Sequence, residues 1–123
     1  MPKPTVAILG ASADQSKFGN KAVRAYVRKG YDVFPINPKA DQIEGLTAYP
    51  TLADVPVEKL DRISVYLPPA VGLKVLAEIA AKPHDEFWLN PGSDSPEVVD
   101  AARALGLDPI VACSIVAIGE TPH

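Results

Sequence analysis

Gly10, Ser12, Ser16, Lys17 and Gly19 stand in one stretch, Gly10-Ala-Ser-Ala-Asp-Gln-Ser-Lys17-Phe-Gly19, directly after the apolar run Thr5-Val-Ala-Ile-Leu9. Glycine permits a tight turn, serine hydroxyls donate to phosphate oxygens, and lysine neutralises their charge. Where a strand runs through such a loop into a helix, backbone N–H groups and the helix dipole converge, and the loop becomes a cradle for phosphate. The stretch departs from the dinucleotide fingerprint G-x-G-x-x-G, because Ser12 stands at the middle glycine and the loop is longer. Taken alone, the same residues suit any strand-to-helix loop.

A second group, Asn37-Pro38-Lys39, ends the run Val33-Phe-Pro-Ile36. An NAD-type site carries Asp or Glu there to hold the ribose hydroxyls, so a lysine reverses the sign and suits a ribose with an extra phosphate. Alone the tripeptide reads as a turn with a solvated lysine; beside the glycine loop, Asn37, Pro38 and Lys39 are expected to touch a ligand. Leu67-Pro68-Pro69 ends a third apolar run. These prolines terminate a strand and also offer a stiff apolar wall for a purine ring. Trp88 is expected in the core, with Asn90-Pro91-Gly92 after it facing the same cleft.

The net charge of −3 hides an asymmetry. Residues 1–39 hold seven basic and two acidic side chains, whereas residues 40–123 hold five basic and thirteen acidic ones. The candidate phosphate loop lies in the basic part, so a small polyanion is the natural partner. Lys21, Arg24, Arg28 and Lys29 among them also read as the solvated face of one helix. A net acidic chain without clustered basic and aromatic residues is not expected to bind nucleic acid. No apolar run reaches the roughly 20 residues of a membrane span, and Met1-Pro-Lys-Pro lacks the apolar stretch of a signal peptide, so a cytoplasmic location without membrane contact is expected. Cys113 is the single cysteine, which excludes an internal disulfide and a multi-cysteine zinc site. The histidines, His84 and His123, have no neighbouring Asp or Cys that suggests a triad or a metal site, and Asp85-Glu86 reads as solvated surface.

Strand and helix signals alternate along the 123 residues, enough for one domain over 1–123. Strands are expected at Thr5–Leu9, Tyr31–Ile36, Asp61–Leu67, Asp85–Leu89 and Leu107–Ala112. Helices follow from about Phe18 to Lys29, after Pro68-Pro69, and after Ser95, an N-cap with Pro96 at the first helical position. Residues 40–60 read as mixed, with a turn at Glu44-Gly45 and a short helical turn at Thr51–Asp54. Such alternation predicts an α/β fold, a Rossmann-like doubly wound parallel sheet of about five strands in the order 3-2-1-4-5 with helices on both faces. Ligands of such sheets bind at the carboxyl ends of the strands, here near the switch between the first and fourth.

The ordered series Val6-Ala-Ile-Leu-Gly10-Ala-Ser12, Lys17-Phe-Gly19, Gly30-Tyr-Asp-Val-Phe-Pro-Ile-Asn37-Pro-Lys39, Gly45, Tyr49-Pro-Thr-Leu-Ala-Asp-Val-Pro, Leu67-Pro-Pro69 and Trp88 before Gly92 resembles the CoA-binding domain family. That family includes small stand-alone proteins and the amino-terminal domain of the succinyl-CoA synthetase alpha subunit. The resemblance covers nearly the whole chain and implies a Rossmann-like fold that binds coenzyme A. It places the phosphate-loop role on Gly10, Ala11, Ser12, Lys17 and Gly19, the lysine after the second strand at Lys39, and the proline wall at Pro68 and Pro69. The chain departs from the Gln-Xaa-Gly common after the tryptophan in stand-alone members, having Leu89-Asn90-Pro91-Gly92. The synthetase's second domain, with its phosphorylated histidine, is not expected within these 123 residues.

The expected function is therefore binding of CoA or an acyl-CoA without catalysis, as a carrier, sensor or subunit for a partner enzyme or as a homo-oligomer. Two other readings stand beside it. An NADP-dependent reductase would use Lys39 for the 2′-phosphate, and an interaction module would have kept the fold and lost the ligand. Cys113, at the end of the fifth strand, could form a mixed disulfide with the CoA thiol.

Overall fold

The computed structural model describes residues 3–121, so His123 lies outside the described residues. Alternating apolar runs and helical periodicity resolve into β1 (Thr5–Leu9), α1 (Phe18–Arg28), β2 (Asp32–Ile36), β3 (Gln42–Ile43), β4 (Leu46–Thr47), a 3-10 turn (Leu52–Asp54), β5 (Leu60–Val65), α2 (Pro69–Ala81), β6 (His84–Leu89), α3 (Pro96–Ala104), β7 (Pro109–Val111) and α4 (Ser114–Ala117). Pro68 is the N-cap of α2, and the ring of Pro69 occupies a first-turn position where no N–H is needed. Ser95 caps α3, its side chain accepting from the Val98 N–H at 3.4 Å.

β2, β1, β5, β6 and β7 form one five-stranded sheet in that order, every pair parallel. Successive strand residues point to opposite faces, so each strand feeds two cores. Ala7, Leu9, Ile63, Val65, Phe87 and Leu89 pack with Leu76 and Ile79 of α2 and Val98 and Ala102 of α3. Val6, Ile8 and Val33 pack on the other face with Ala22, Val23 and Tyr26 of α1 and Ile115 of α4. The architecture is Rossmann-like α/β with helices on both faces.

The strand order corrects the expected 3-2-1-4-5. The third long strand, β5, lies beside β1 and not outside β2. The place it would have taken is filled by Tyr49, which forms a parallel bridge with Ile36, donates its N–H to the Pro35 carbonyl at 2.9 Å and accepts from Asn37 N–H at 3.0 Å. Pro35 explains the edge: proline has no N–H, and in β2 this missing donor points outward, where a further full strand would need it. The switch therefore falls between β1 and β5.

Residues 40–60 contain more structure than a turn. β3 and β4 pair antiparallel around Glu44-Gly45, both at positive φ (51° and 76°), the geometry of a two-residue hairpin turn. No helix among the described residues is long and apolar enough to cross a membrane.

Candidate functional site

The carboxyl ends of β1, β2 and β5 open on a cleft of about 550 Å³, within the range of small-molecule sites. Four loops and one helix build it, one of them the stretch after β4 that contributes Pro50. Gly10, Ala11 and Ser12 follow β1, Asn37 and Pro38 follow β2, Tyr66, Leu67 and Pro68 follow β5, and Val71, Val75 and Glu78 come from α2. Lys17, the residue before α1, also lines it.

Two glycines make the first loop possible. Gly10 has φ +86°, and a Cβ there would collide with the Tyr66 carbonyl oxygen. A Cβ at Gly19 would collide with the carbonyl oxygen of Gly10. Gly19 thus lets the first turn of α1 close on the loop, and its role is that close approach. Among the described residues, the backbone N–H groups of Ala11, Ser12 and Ala13 donate to no backbone carbonyl, nor do those of Phe18 and Gly19 at the start of α1. Unspent donors beside a helix N-terminus can hold an anion. Lys17 adds a positive charge that has no ion-pair partner within 4 Å among the described residues.

Neighbouring side chains hold this loop rather than face the cleft. Asn20, fully buried on α1, donates to the Ser12 carbonyl at 2.8 Å and to Glu44 Oε2 at 3.0 Å, and accepts from Arg24 Nε at 2.8 Å. The Asn20 and Gln15 amides hold the Glu44 carboxyl below the ordinary glutamate range. Arg24 reaches the Gln15 carbonyl at 3.1 Å, so it braces the loop rather than only solvating a helix face. Ser16 donates its hydroxyl to Asp14 Oδ1 at 2.7 Å, and these Ser16 contacts depress the Asp14 carboxyl. Ser12 Oγ accepts from the Asp14 N–H at 3.0 Å and keeps its own proton to donate.

Gly10, Ala11, Ser12, Lys17, Asn37, Pro38 and Pro68 are brought together around the cleft, whereas Ser16, Gly19, Lys39 and Pro69 do not line it. Asn37 fixes the loops while keeping one Nδ2 N–H over: Nδ2 donates to the Ala11 carbonyl at 3.0 Å and Oδ1 accepts from the N–H groups of Lys39 and Ala40. Lys39 stands exposed on the turn that Asn37 fixes. Pro69 borders the groove on the far side of Pro68.

Asn90 does not face the cleft as expected. It is buried, donating to Ser64 Oγ at 2.8 Å and the Val65 carbonyl at 2.9 Å and accepting from the Ser114 N–H at 2.8 Å. Ser64 and Ser114 hydroxyls bond at 2.7 Å, and the Tyr66 hydroxyl joins Ser114 at 3.1 Å. Burial pushes the Tyr66 phenol well above its ordinary range, so it stays neutral. Tyr66 was not singled out from sequence, although it lines the cleft; only its position one residue past β5 could have marked it. Glu78 lines the cleft too, but its carboxylate accepts from the Leu52 N–H at 3.0 Å. Among the described residues no group of three or more His, Cys, Asp or Glu is placed to hold a metal ion.

A family model described as a CoA binding domain matches residues 4–119. The chain belongs to the CoA-binding domain family. An ADP-forming acetate–CoA ligase of Archaeoglobus fulgidus is 34% identical over 80 residues, which is 63% of this chain and 12% of the ligase. The chain thus spans a small part of the curated relative it matches. A conserved hypothetical protein from Pyrococcus furiosus superposes with a TM-score of 0.82 at 30% identity, covering 94% of this chain and 99% of the other. A dinucleotide-forming acetyl-coenzyme A synthetase of Ca. Korarchaeum cryptofilum, solved with phosphate and ADP, gives a TM-score of 0.72 at 29% identity over 86% of this chain and 25% of its own.

Proposed function

We propose that the chain binds coenzyme A or an acyl-CoA in the cleft, without chemistry of its own, and presents it to a partner enzyme. The observation that carries this reading is the set of unspent N–H groups at Ala11, Ser12 and Ala13 beside unpaired Lys17. Donors without protein acceptors are free to bind an anion, and a diphosphate supplies both acceptors and the charge that Lys17 complements. In this reading Gly10, Ala11, Ser12 and Lys17 take the pyrophosphate, Pro38 and Pro68 flank the adenine, and Lys39 takes the 3′-phosphate of the ribose. Gly19 and Asn37 hold the loops in place. Membership of the CoA-binding domain family supports the choice of ligand. That relatives carry such a region within larger acyl-CoA-forming enzymes supports a partner.

Lys39 gives the test. A charge-assisted contact is worth roughly 1.5–3 kcal/mol, on the order of ten- to a hundredfold in affinity. By calorimetry, Lys39→Glu is expected to weaken CoA by that factor while leaving dephospho-CoA, which lacks the phosphate, nearly unchanged. Equal losses for both ligands would remove Lys39 from the phosphate site. Tighter binding of NADP than of CoA by the wild type would transfer the cleft to a reductase.

A further inference from the structure

The cleft has neighbours across the residues that follow β5. Tyr66, Leu67 and Pro68 form a ridge whose other side is a groove of about 290 Å³, and that groove shares Phe18, Tyr66 and Pro91 with a pocket of about 260 Å³. Phe18, Tyr66, Asn90, Pro91, Cys113 and Val116 line this pocket. Phe18 directly follows Lys17, so an arm leaving a phosphate at the loop meets the pocket wall at once.

Its chemistry is set by what is already used. The Asn90 amide is committed to Ser64, Val65 and Ser114, and the Tyr66 hydroxyl to Ser114. A polar group entering would lose water and find no partner of comparable strength, whereas an apolar group would lose nothing. Phe18 and Val116, exposed at 55% and 58%, offer apolar surface at the rim, with Lys21 Nζ 4.9 Å from the centre of the Phe18 ring. An apolar cavity of about 150 Å³ accepts benzene, so this pocket has room for a short hydrocarbon chain.

We infer that this pocket receives the acyl group of a short-chain acyl-CoA and makes the protein prefer the thioester to free CoA. The inference rests on the CoA reading of the cleft and adds the class of ligand. Cys113 contributes an apolar wall, and no covalent step is involved.

Calorimetry on the full chain, in reductant, with CoA, acetyl-, butyryl- and hexanoyl-CoA tests it. Affinity is expected to rise by about fourfold per added methylene until the pocket is full. Val116→Trp, at an exposed position, fills the pocket and is expected to erase that gain while leaving free CoA within about twofold. Phe18→Ala, which opens the wall instead, is expected to reduce the same gain and serves where the tryptophan variant melts early. Equal affinity for CoA and every thioester would overturn the acyl pocket and leave the CoA cleft standing. A chain-length gain that survives both substitutions would do the same. Absence of CoA binding by the wild type would overturn both.

Discussion

The two ends of the sheet carry hollows of opposite character. At the amino end, a hollow of about 250 Å³ is lined by Pro4, Asp61, Arg62, Asp85 and Glu86. Its polar groups are matched with each other. Asp61 accepts from Thr5 N–H at 2.7 Å, Lys59 pairs with Asp85 at 2.6 Å, and Arg62 pairs with Glu86 at 2.9 Å while lying over the Trp88 ring at 5.2 Å. His84 is likewise engaged there, its Nδ1 at 2.6 Å from the Lys82 carbonyl. At the carboxyl end the loop N–H groups and Lys17 have no protein partner among the described residues. Both ends have charge and space, so neither property identifies a ligand site. The ends differ in hydrogen-bonding capacity: the amino end has spent its own, and the carboxyl end keeps donors that water or a ligand can satisfy.

The largest effect is expected at Gly19. Gly19→Val drives a side chain into the Gly10 carbonyl, and we expect a loss of roughly 3–5 kcal/mol in urea unfolding. Near-wild-type stability would mean that the loop can retreat from α1. Gly10 substitutions would report on the fold as much as on the ligand, since the Tyr66 carbonyl stands in the way. A paired exchange separates the two ends more cleanly. Lys17→Ala should cost about tenfold in CoA affinity with the melting temperature unchanged, while Arg62→Ala should cost about 1.5–3 kcal/mol of stability with CoA affinity unchanged. If both variants lost affinity alike, the distinction between the ends would collapse.

The smallest effect is a pH dependence at the brace behind the loop after β1. The Glu44 carboxyl lies below its ordinary value of 4.5, through hydrogen bonds from Asn20 and Gln15. A depressed carboxylate stabilises the fold above the unfolded value, and that contribution is lost as pH falls through the lower folded value. Thermal melts across this acid range should therefore be flatter for Glu44→Gln than for the wild type. The flattening is partial, because the Asp14 carboxyl is depressed by Ser16 in the same loop. An unchanged profile would remove Glu44 from the brace.

The glycine loop was legible because its chemistry is local: turn, donors and charge stand within a few residues of one strand. The helices were legible for the same reason, with α1 ending at Arg28 where Gly30 and periodicity set the stop. Strand order was not, since it depends on what covers an edge, although Pro35 carried the signal that β2 had to be outermost. A place after a strand and a place in a loop predict ligand contact for Asn90 and Ser16. Their true partners, Ser64 and Ser114 for Asn90 and Asp14 for Ser16, follow from three-dimensional proximity and from an Asx turn. Tyr66 was missed because a tyrosine next to an apolar strand looks like core until the cleft beside it is visible.

One amide joins the two halves of the cleft. Because Asn37 Nδ2 holds the Ala11 carbonyl at 3.0 Å, the loops after β1 and β2 are fastened to each other across the mouth of β1. A ligand arriving there finds its walls already assembled and bears little of the entropy of ordering them. The consequence is kinetic: association should follow a single concentration-linear phase, with residence time, not a slow closure, setting the differences in affinity among ligands.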